Sequence, residues 1–244
     1  KNGGYCELTA QYWVWKNYLP THLDLKWVGF CHYRRFMDFW NWSSEYNRGA
    51  YNYRYVDSRS FALEMFPKYT EAELSYVIPD NADIVLPRSF KNKSFIENQL
   101  SHYMFVWGNR GLDEVCSVIN SDYVDYKEDF KQSMSSRRGY HGLTYLMKTP
   151  LFVRYAQWMF DFLEKINRRI SKAPSCNGRW EGLIGELIFN TWLYHEIRVN
   201  GLNVVECNGV MLDEVKSERS IFRPVEKCAK LKSYLKSRIM LYRC

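Results

Sequence analysis

The stretch Trp27–Arg35, Trp-Val-Gly-Phe-Cys-His-Tyr-Arg-Arg, constrains this chain more than any other. Trp27 to Cys31 carry no charge and suit a strand buried on both faces of a sheet. Polar residues follow at once: His32, Tyr33, Arg34 and Arg35. Open α/β sheets place ligands in this way, in the crevice beyond the carboxyl ends of their strands. An extended chain would send His32 and Arg34 to one side and Tyr33 and Arg35 to the other. Two guanidiniums there could hold a phosphate by paired hydrogen bonds, a geometry that Lys cannot imitate. The plainer alternative is one ordinary surface Arg and a neutral, packed His32.

A chain of 244 residues, 46% hydrophobic, can form one large α/β domain with a sizeable core. Its 17% aromatic share is rich in Tyr and suits a wet cleft or a membrane interface as well as a core. No apolar run approaches the ~18 residues of a membrane-spanning helix, and no signal peptide shows at the start. The seven cysteines (6, 31, 116, 176, 207, 228 and 244) are odd in number and contain no Cys-x-x-Cys pair. That argues against a disulfide framework and a structural zinc site, and for a reducing compartment. The chain opens on Lys1-Asn2-Gly3-Gly4 without an initiator Met, which leaves room for an upstream piece.

Charge divides the chain into a body, residues 1–218, and a tail, residues 219–244. The tail holds eight Lys and Arg against one acid, Glu226, and so carries the whole net charge of +7. A neutral body with a basic tail points to an anionic surface and away from general nucleic-acid binding. Leu231, Leu235 and Ile239 recur every four residues among the tail's bases, the pattern of an amphipathic helix lying on a membrane. The same stripe could instead pack on the body.

The apolar pattern predicts a helix over Tyr5–Tyr18, ended by Pro20, with Leu8, Tyr12, Trp15 and Leu19 on one stripe. From Phe36 to Asp57 the chain is aromatic and aperiodic, which predicts a long ordered loop over the site. Ile84–Leu86 predicts a second buried strand, Tyr140–Met147 another, and Val204–Val205 a last one. Helices are expected over Phe95–Trp107, Leu112–Asn120, Leu151–Ile170 and Trp180–Val199, with shorter ones at Phe61–Met65 and Glu71–Val77. Asp122–Gln132 stays ambiguous. Mixed β and α elements without a repeat make an α/β sandwich.

The familiar dinucleotide, P-loop, nucleophile-elbow and zinc-protease motifs do not occur, and His195-Glu196 lacks the second His of the last. Asp-x-Asp is absent too. The nearest match, Asp80-Asn81-Ala82-Asp83, precedes a strand and reads better as a turn cap than as a metal site. Among the acids, Glu181 and Glu186 have the best claim to chemistry. Five residues apart, they lie about 140° apart around a helix, so at most one faces a site. Glu186 follows Gly185, which would let a ligand come close. Both could equally be solvated helix charges.

Two segments together carry a resemblance. Lys1-Asn2, Tyr5-Cys6-Glu7-Leu8-Thr9-Ala10, Tyr12-Trp13 and Trp15-Lys16-Asn17 make up the first, and Val28–Phe36 the second. This pattern resembles a family of bacterial capsular polysaccharide and O-antigen glycosyltransferases first catalogued as a domain of unknown function. The His102 helix, the strand–Pro–helix Tyr140–Ile170 and Arg179-Trp180-Glu181-Gly182-Leu183-Ile184-Gly185-Glu186 extend the likeness to about residues 1–200. Leu187 stands where the family usually has Arg, and His141-Gly142 where Asn-Met is usual. The family also carries an earlier strand ending in His-Lys; either an upstream piece supplies it or other residues fill its role.

The resemblance implies a single-domain, GT-A-like α/β/α sandwich with a mixed central sheet. It also implies transfer of a hexose, with UDP-galactose as the expected donor, to a lipid-linked oligosaccharide in capsule, exopolysaccharide or O-antigen synthesis. Lys1, Asn2, Glu7, His32, Tyr33, Arg34 and Arg35 are the candidates for donor and diphosphate binding. Glu186, then Glu181, would take the acceptor hydroxyl's proton. His102, His141 and Arg179 would serve the acceptor or the sugar. Fixed Arg charges can stand in for the Asp-x-Asp metal, so no cofactor is expected and Mn²⁺ or Mg²⁺ is not needed. The expected partners are a nucleotide-sugar, a lipid-linked glycan and an anionic membrane, not nucleic acid. The expected place is the cytoplasm, peripheral on the inner leaflet of the plasma membrane. The alternative from another class is a non-catalytic carbohydrate- or polyanion-binding module built on the aromatic 36–55 segment.

Overall fold

The computed structural model describes residues 2–40, 53–57, 61–91, 97–109, 111–170 and 179–213. Lys1, most of the aromatic 36–55 segment and the whole basic tail therefore lie outside the described residues. The elements, in order, are α1 (Asn2–Tyr5), α2 (Leu8–Trp13), β1 (Trp27–Phe30), β2 (Arg35–Asp38), β3 (Tyr53–Asp57) and α3 (Glu71–Val77). Then come β4 (Ile84–Pro87), β5 (Phe90–Lys91), α4 (Gln99–Trp107), α5 (Leu112–Asp122), α6 (Lys127–Ser135) and β6 (Arg138–Gly139). The chain closes its described part with β7 (Tyr145–Lys148), α7 (Thr149–Ile170), α8 (Trp180–Asn200) and β8 (Val204–Asp213).

The strands make a mixed sheet in the order β1-β7-β4-β8-β2, with β3 also pairing β8. β4 and β3 run parallel to β8, while β1/β7, β4/β7 and β2/β8 are antiparallel. Ile84–Pro87 is buried throughout, as its uninterrupted apolar run requires of a central strand. α7 and α8 cover one face and pack Phe152, Tyr155, Met159, Ile188 and Trp192 against Ile84, Leu86, Tyr145 and Met147. Each such buried side chain contributes roughly 1.5–3 kcal/mol, which makes this layer the main source of stability. The opposite face buries a smaller group, Met37, Ala82, Val85 and Leu146.

Several expectations are corrected here. β1 is not buried on both faces: it is the end strand of the sheet path, with Val28 buried and Gly29 exposed. The polar residues after it do not alternate along an extended chain. His32 and Arg35 form a bridge across a turn, and β2 starts at Arg35. The supposed loop over 36–57 contains β2 and β3, whose places in the sheet are fixed by pairing with β8. The first helix is broken into pieces, because Cys6 takes the left-handed conformation (φ 49°) between α1 and α2, and α2 continues as a π-turn over Val14–Tyr18. Only Tyr145–Lys148 of the 140–147 strand forms, since Gly142 (φ 83°) and Leu143 (φ 46°) turn the chain out of extended geometry.

The ambiguous 122–132 segment leads into α6, whose buried Asp129 accepts from Arg198 Nε at 2.8 Å and lies 2.8 Å from His195 Nδ1. Burial pushes the Asp129 carboxyl up, but Arg198 and His195 more than reverse this. Asp83 is a turn residue, as read. Its carboxylate holds Lys148 Nζ at 2.9 Å and the Asn203 amide at 3.0 Å. Cys116 is disulfide-bonded, a single bond rather than the framework the sequence argued against. Among the described residues, no helix is long and apolar enough to cross a membrane.

Candidate functional site

The site forms where the α1–α2 junction locks onto the start of α8. Two bare positions on α8 permit this. A Cβ on Gly182 would lie 3.1 Å from Cys6 Sγ, and one on Gly185 would lie 2.7 Å from Leu8 Cδ1. Gly185 thus admits the fully buried Leu8, not a ligand as expected, and the contact fixes Glu7 beside the helix. Arg179 caps α8 in a left-handed conformation (φ 67°) and donates from Nε to Cys6 Sγ at 3.1 Å. Two left-handed non-glycine residues in contact, Cys6 and Arg179, are the kind of backbone strain that surrounding structure must hold in place.

His32 meets Glu7 from the sheet side, with Nε2 at 3.4 Å from Oε1. Its Nδ1 accepts the Arg34 backbone N–H at 3.2 Å, so the ring proton belongs on Nε2, facing the carboxylate. Burial, then Arg35, hold His32 down to about 4 against the pull of Glu7, and the ring is neutral near pH 7. Arg34 and Arg35 divide their tasks. Arg34 lies 5.0 Å from the centroid of the Tyr33 ring, and Tyr33 is exposed. Arg35 turns inward across the bare Cα of Gly142.

Glu186 feels several of these groups. Burial raises its carboxyl above the ordinary range, Glu7 adds to the rise, and Arg35, the Gly142 amide and Arg179 oppose it. A carboxylate displaced toward neutrality beside fixed cations is suited to take a proton while anionic charge develops nearby. Glu181 points elsewhere, as the spacing required. It is buried against Gly4, where a Cβ would lie 3.0 Å from its Cδ, and it raises the Tyr5 phenol.

His141 and His102 pair with ring centroids 5.0 Å apart, and Phe90 stands edge-on to both. Burial first, then His102 and Arg35, push His141 down to about 3, so His141 is electrically in touch with the Glu186 group and His102 is one step further out. The cavity that His141 lines holds about 10 Å³, room for one water. A wider groove of about 1130 Å³ runs between α2 and α7 and reaches the cluster only at Tyr5.

The structure therefore brings together Glu7, His32, Arg35, Arg179, Glu186 and, through Arg35, His141. Asn2 opens α1, and Lys1 lies outside the described residues. Sequence reading missed the Gly142 amide, the Cys6–Arg179 contact and the Glu206 hydrogen bonds to Ser89 and Tyr140. Among the described residues, no group of three His, Cys, Asp or Glu is placed to hold a metal ion.

The sequence profile of a domain of unknown function, DUF4422, matches residues 1–197. The chain belongs to the DUF4422 family. Among solved structures, this DUF4422 chain is similar to the apo form of WbbM, a bifunctional glycosyltransferase. The TM-score is 0.69 and the identity 26% over 92% of this chain and 39% of that one. The chain thus spans well under half of WbbM. Its fold is the GT-A-like α/β architecture expected. No curated protein matches it.

Proposed function

We propose that the chain is a glycosyltransferase that moves a hexose from a nucleotide-diphosphate sugar to a glycan acceptor. One observation carries this reading: Glu186, in the second turn of α8 and raised by burial, accepts from the Gly142 amide and feels the charge of Arg35, in a fold similar to that of a glycosyltransferase. The acceptor hydroxyl attacks the anomeric carbon and gives its proton to Glu186. The bond from that carbon to the diphosphate oxygen breaks, and the nucleoside diphosphate leaves with the electron pair. Arg35 meets the charge on the leaving group. His32 and Glu7 hold each other in register beside it, and Arg179 adds a second cation.

The finer reading rests on the resemblance to capsule, exopolysaccharide and O-antigen glycosyltransferases. UDP-galactose is the donor, a lipid-linked oligosaccharide on the inner leaflet is the acceptor, and no divalent metal is required. A hydrolysis screen across UDP-, GDP- and dTDP-sugars tests it, with EDTA in one arm. Release of nucleoside diphosphate from one donor class, undiminished by EDTA, is the expected result. No release from any donor, with no binding of UDP by calorimetry, would leave a non-catalytic carbohydrate-binding module as the better reading.

A further inference from the structure

Beyond the carboxyl end of β4, two short strands, β5 and β6, pair so that Lys91 stands directly opposite Arg138. Both side chains are exposed, and exposed Arg88 and Arg137 flank them. Like charges directly opposite each other weaken a strand pair, and a ribbon of two residues a side has little stability to spare. The nearby acid does not cancel these four bases. Glu206 supplies one negative charge against four positive ones: its Oε1 accepts the Ser89 amide at 2.9 Å and the Tyr140 hydroxyl at 2.8 Å, and these bonds with the charge of Arg138 hold the carboxyl below its usual range. Arg138 donates from Nη1 to the Ser89 hydroxyl at 3.4 Å and lies near enough to Glu206 to feel its charge.

The location matters as much as the charge. Arg88 donates its amide to Cys207 at the end of the parallel β4/β8 pair, the edge where open α/β sheets receive ligands. From Arg138 the chain runs through Gly139 to Gly142, whose amide meets Glu186. The patch and the proposed base therefore sit at two ends of one five-residue turn. A bound dianion would remove the repulsion that the ribbon otherwise bears.

We propose that Arg88, Lys91 and Arg138 form a second phosphate site, which takes the diphosphate of a prenyl-diphosphate-linked acceptor while Arg35 holds the donor. The proposal rests on the transfer reading above for the acceptor's identity, but the phosphate site can be tested without it. Geranyl diphosphate, inorganic pyrophosphate and geraniol are titrated into the full chain, both UDP-free and saturated with UDP, for wild type and a Lys91→Gln/Arg138→Gln double variant. Geranyl diphosphate should bind the UDP-saturated protein, and the double variant should weaken it about tenfold or more. Geraniol should not bind. Pyrophosphate binding as tightly as geranyl diphosphate assigns recognition to the diphosphate alone, and weaker pyrophosphate binding shows that the prenyl chain attached to it contributes as well.

A structural role alone would not move a second readout. Lys91→Glu places an acid opposite Arg138 and should raise Tm by about 1–3 °C while abolishing binding. Equal affinity of wild type and double variant for geranyl diphosphate, or no binding by wild type in either state, overturns the proposal. If UDP itself fails to bind, the donor role of Arg35 falls, and the UDP-free titration still decides the patch.

Discussion

The guanidinium of Arg35 lies across the bare Cα of Gly142, so that a methyl group built there would collide with Nη1 and sit 3.4 Å from Cζ. Gly142 also has φ 83°, a conformation that alanine adopts only with strain. Gly142→Ala should therefore displace Arg35 from Glu186 and lower donor turnover by about tenfold or more. Arg35→Lys should do the same by a different route, losing the paired donors but keeping the charge. Steady-state kinetics on both variants check this, with far-UV circular dichroism to confirm the fold. Turnover within about twofold of wild type for both would take Arg35 out of the mechanism.

Replacing Glu186 by Gln keeps the shape and removes the base. Turnover should fall by about a hundredfold or more while UDP affinity stays close to normal. The wild-type rate should rise with pH along a limb displaced above the ordinary carboxylate range, because the group acts only when deprotonated and burial raises it. In Glu186→Gln that limb should vanish. A retained limb in this variant, with a dead Glu181→Gln, would move the role to Glu181.

Two histidines make the fold acid-sensitive. His32 is held at about 4 and His141 at about 3, both below the ordinary 6.5, chiefly by burial. Below pH 6.5 the unfolded chain gains these protons while the native state does not, so stability is full above 6.5 and drains as pH falls toward 4. For His141, the more strongly depressed of the two, the loss by about pH 5 is on the order of 2 kcal/mol. Urea melts at neutral and mildly acidic pH measure it, and His141→Phe should flatten the slope. An unchanged slope in that variant would place the sensitivity in other groups.

The basic tail, residues 219–244, makes a separate prediction. On anionic vesicles at low salt the full chain should co-sediment and residues 1–218 should not, since each Lys or Arg near such a surface contributes about 1 kcal/mol. Salt should weaken the binding by screening. Equal sedimentation of the two would show that the tail takes no part in membrane attachment.

The long, strongly periodic elements were legible in the sequence. α7 runs almost as its apolar stripe predicts, α8 keeps its expected bounds although it is buried on nearly every side, and Ile84–Leu86 is the buried central strand that its composition demands. What the sequence hid was pairing and backbone handedness. β8 extends through Glu206, Cys207, Asn208 and Gly209 with no apolar pattern, because partners on both sides, not side-chain burial, define it. The left-handed residues Cys6, Leu143 and Arg179 carry no compositional mark either, yet they aim Glu7, Gly142 and the first turn of α8. The candidate acids and bases could be named from residue type. Which of Arg34 and Arg35 turns inward depended on the His32–Arg35 turn, which an assumed extended strand could not supply.

β8 has one further consequence. Its first half holds β4, from whose end Arg88 projects, and its second half holds β2, which begins with Arg35. The two basic regions are thus mounted along one ten-residue beam, with Leu86 opposite Glu206 and Arg35 opposite Met211. Their spacing is set by counting residues along a hydrogen-bonded ladder, at about 3.3 Å each. An inserted or deleted residue in β8 would act as a change of gauge: each half could keep its own ladder, and the distance between the two anion-facing regions would jump by a whole step.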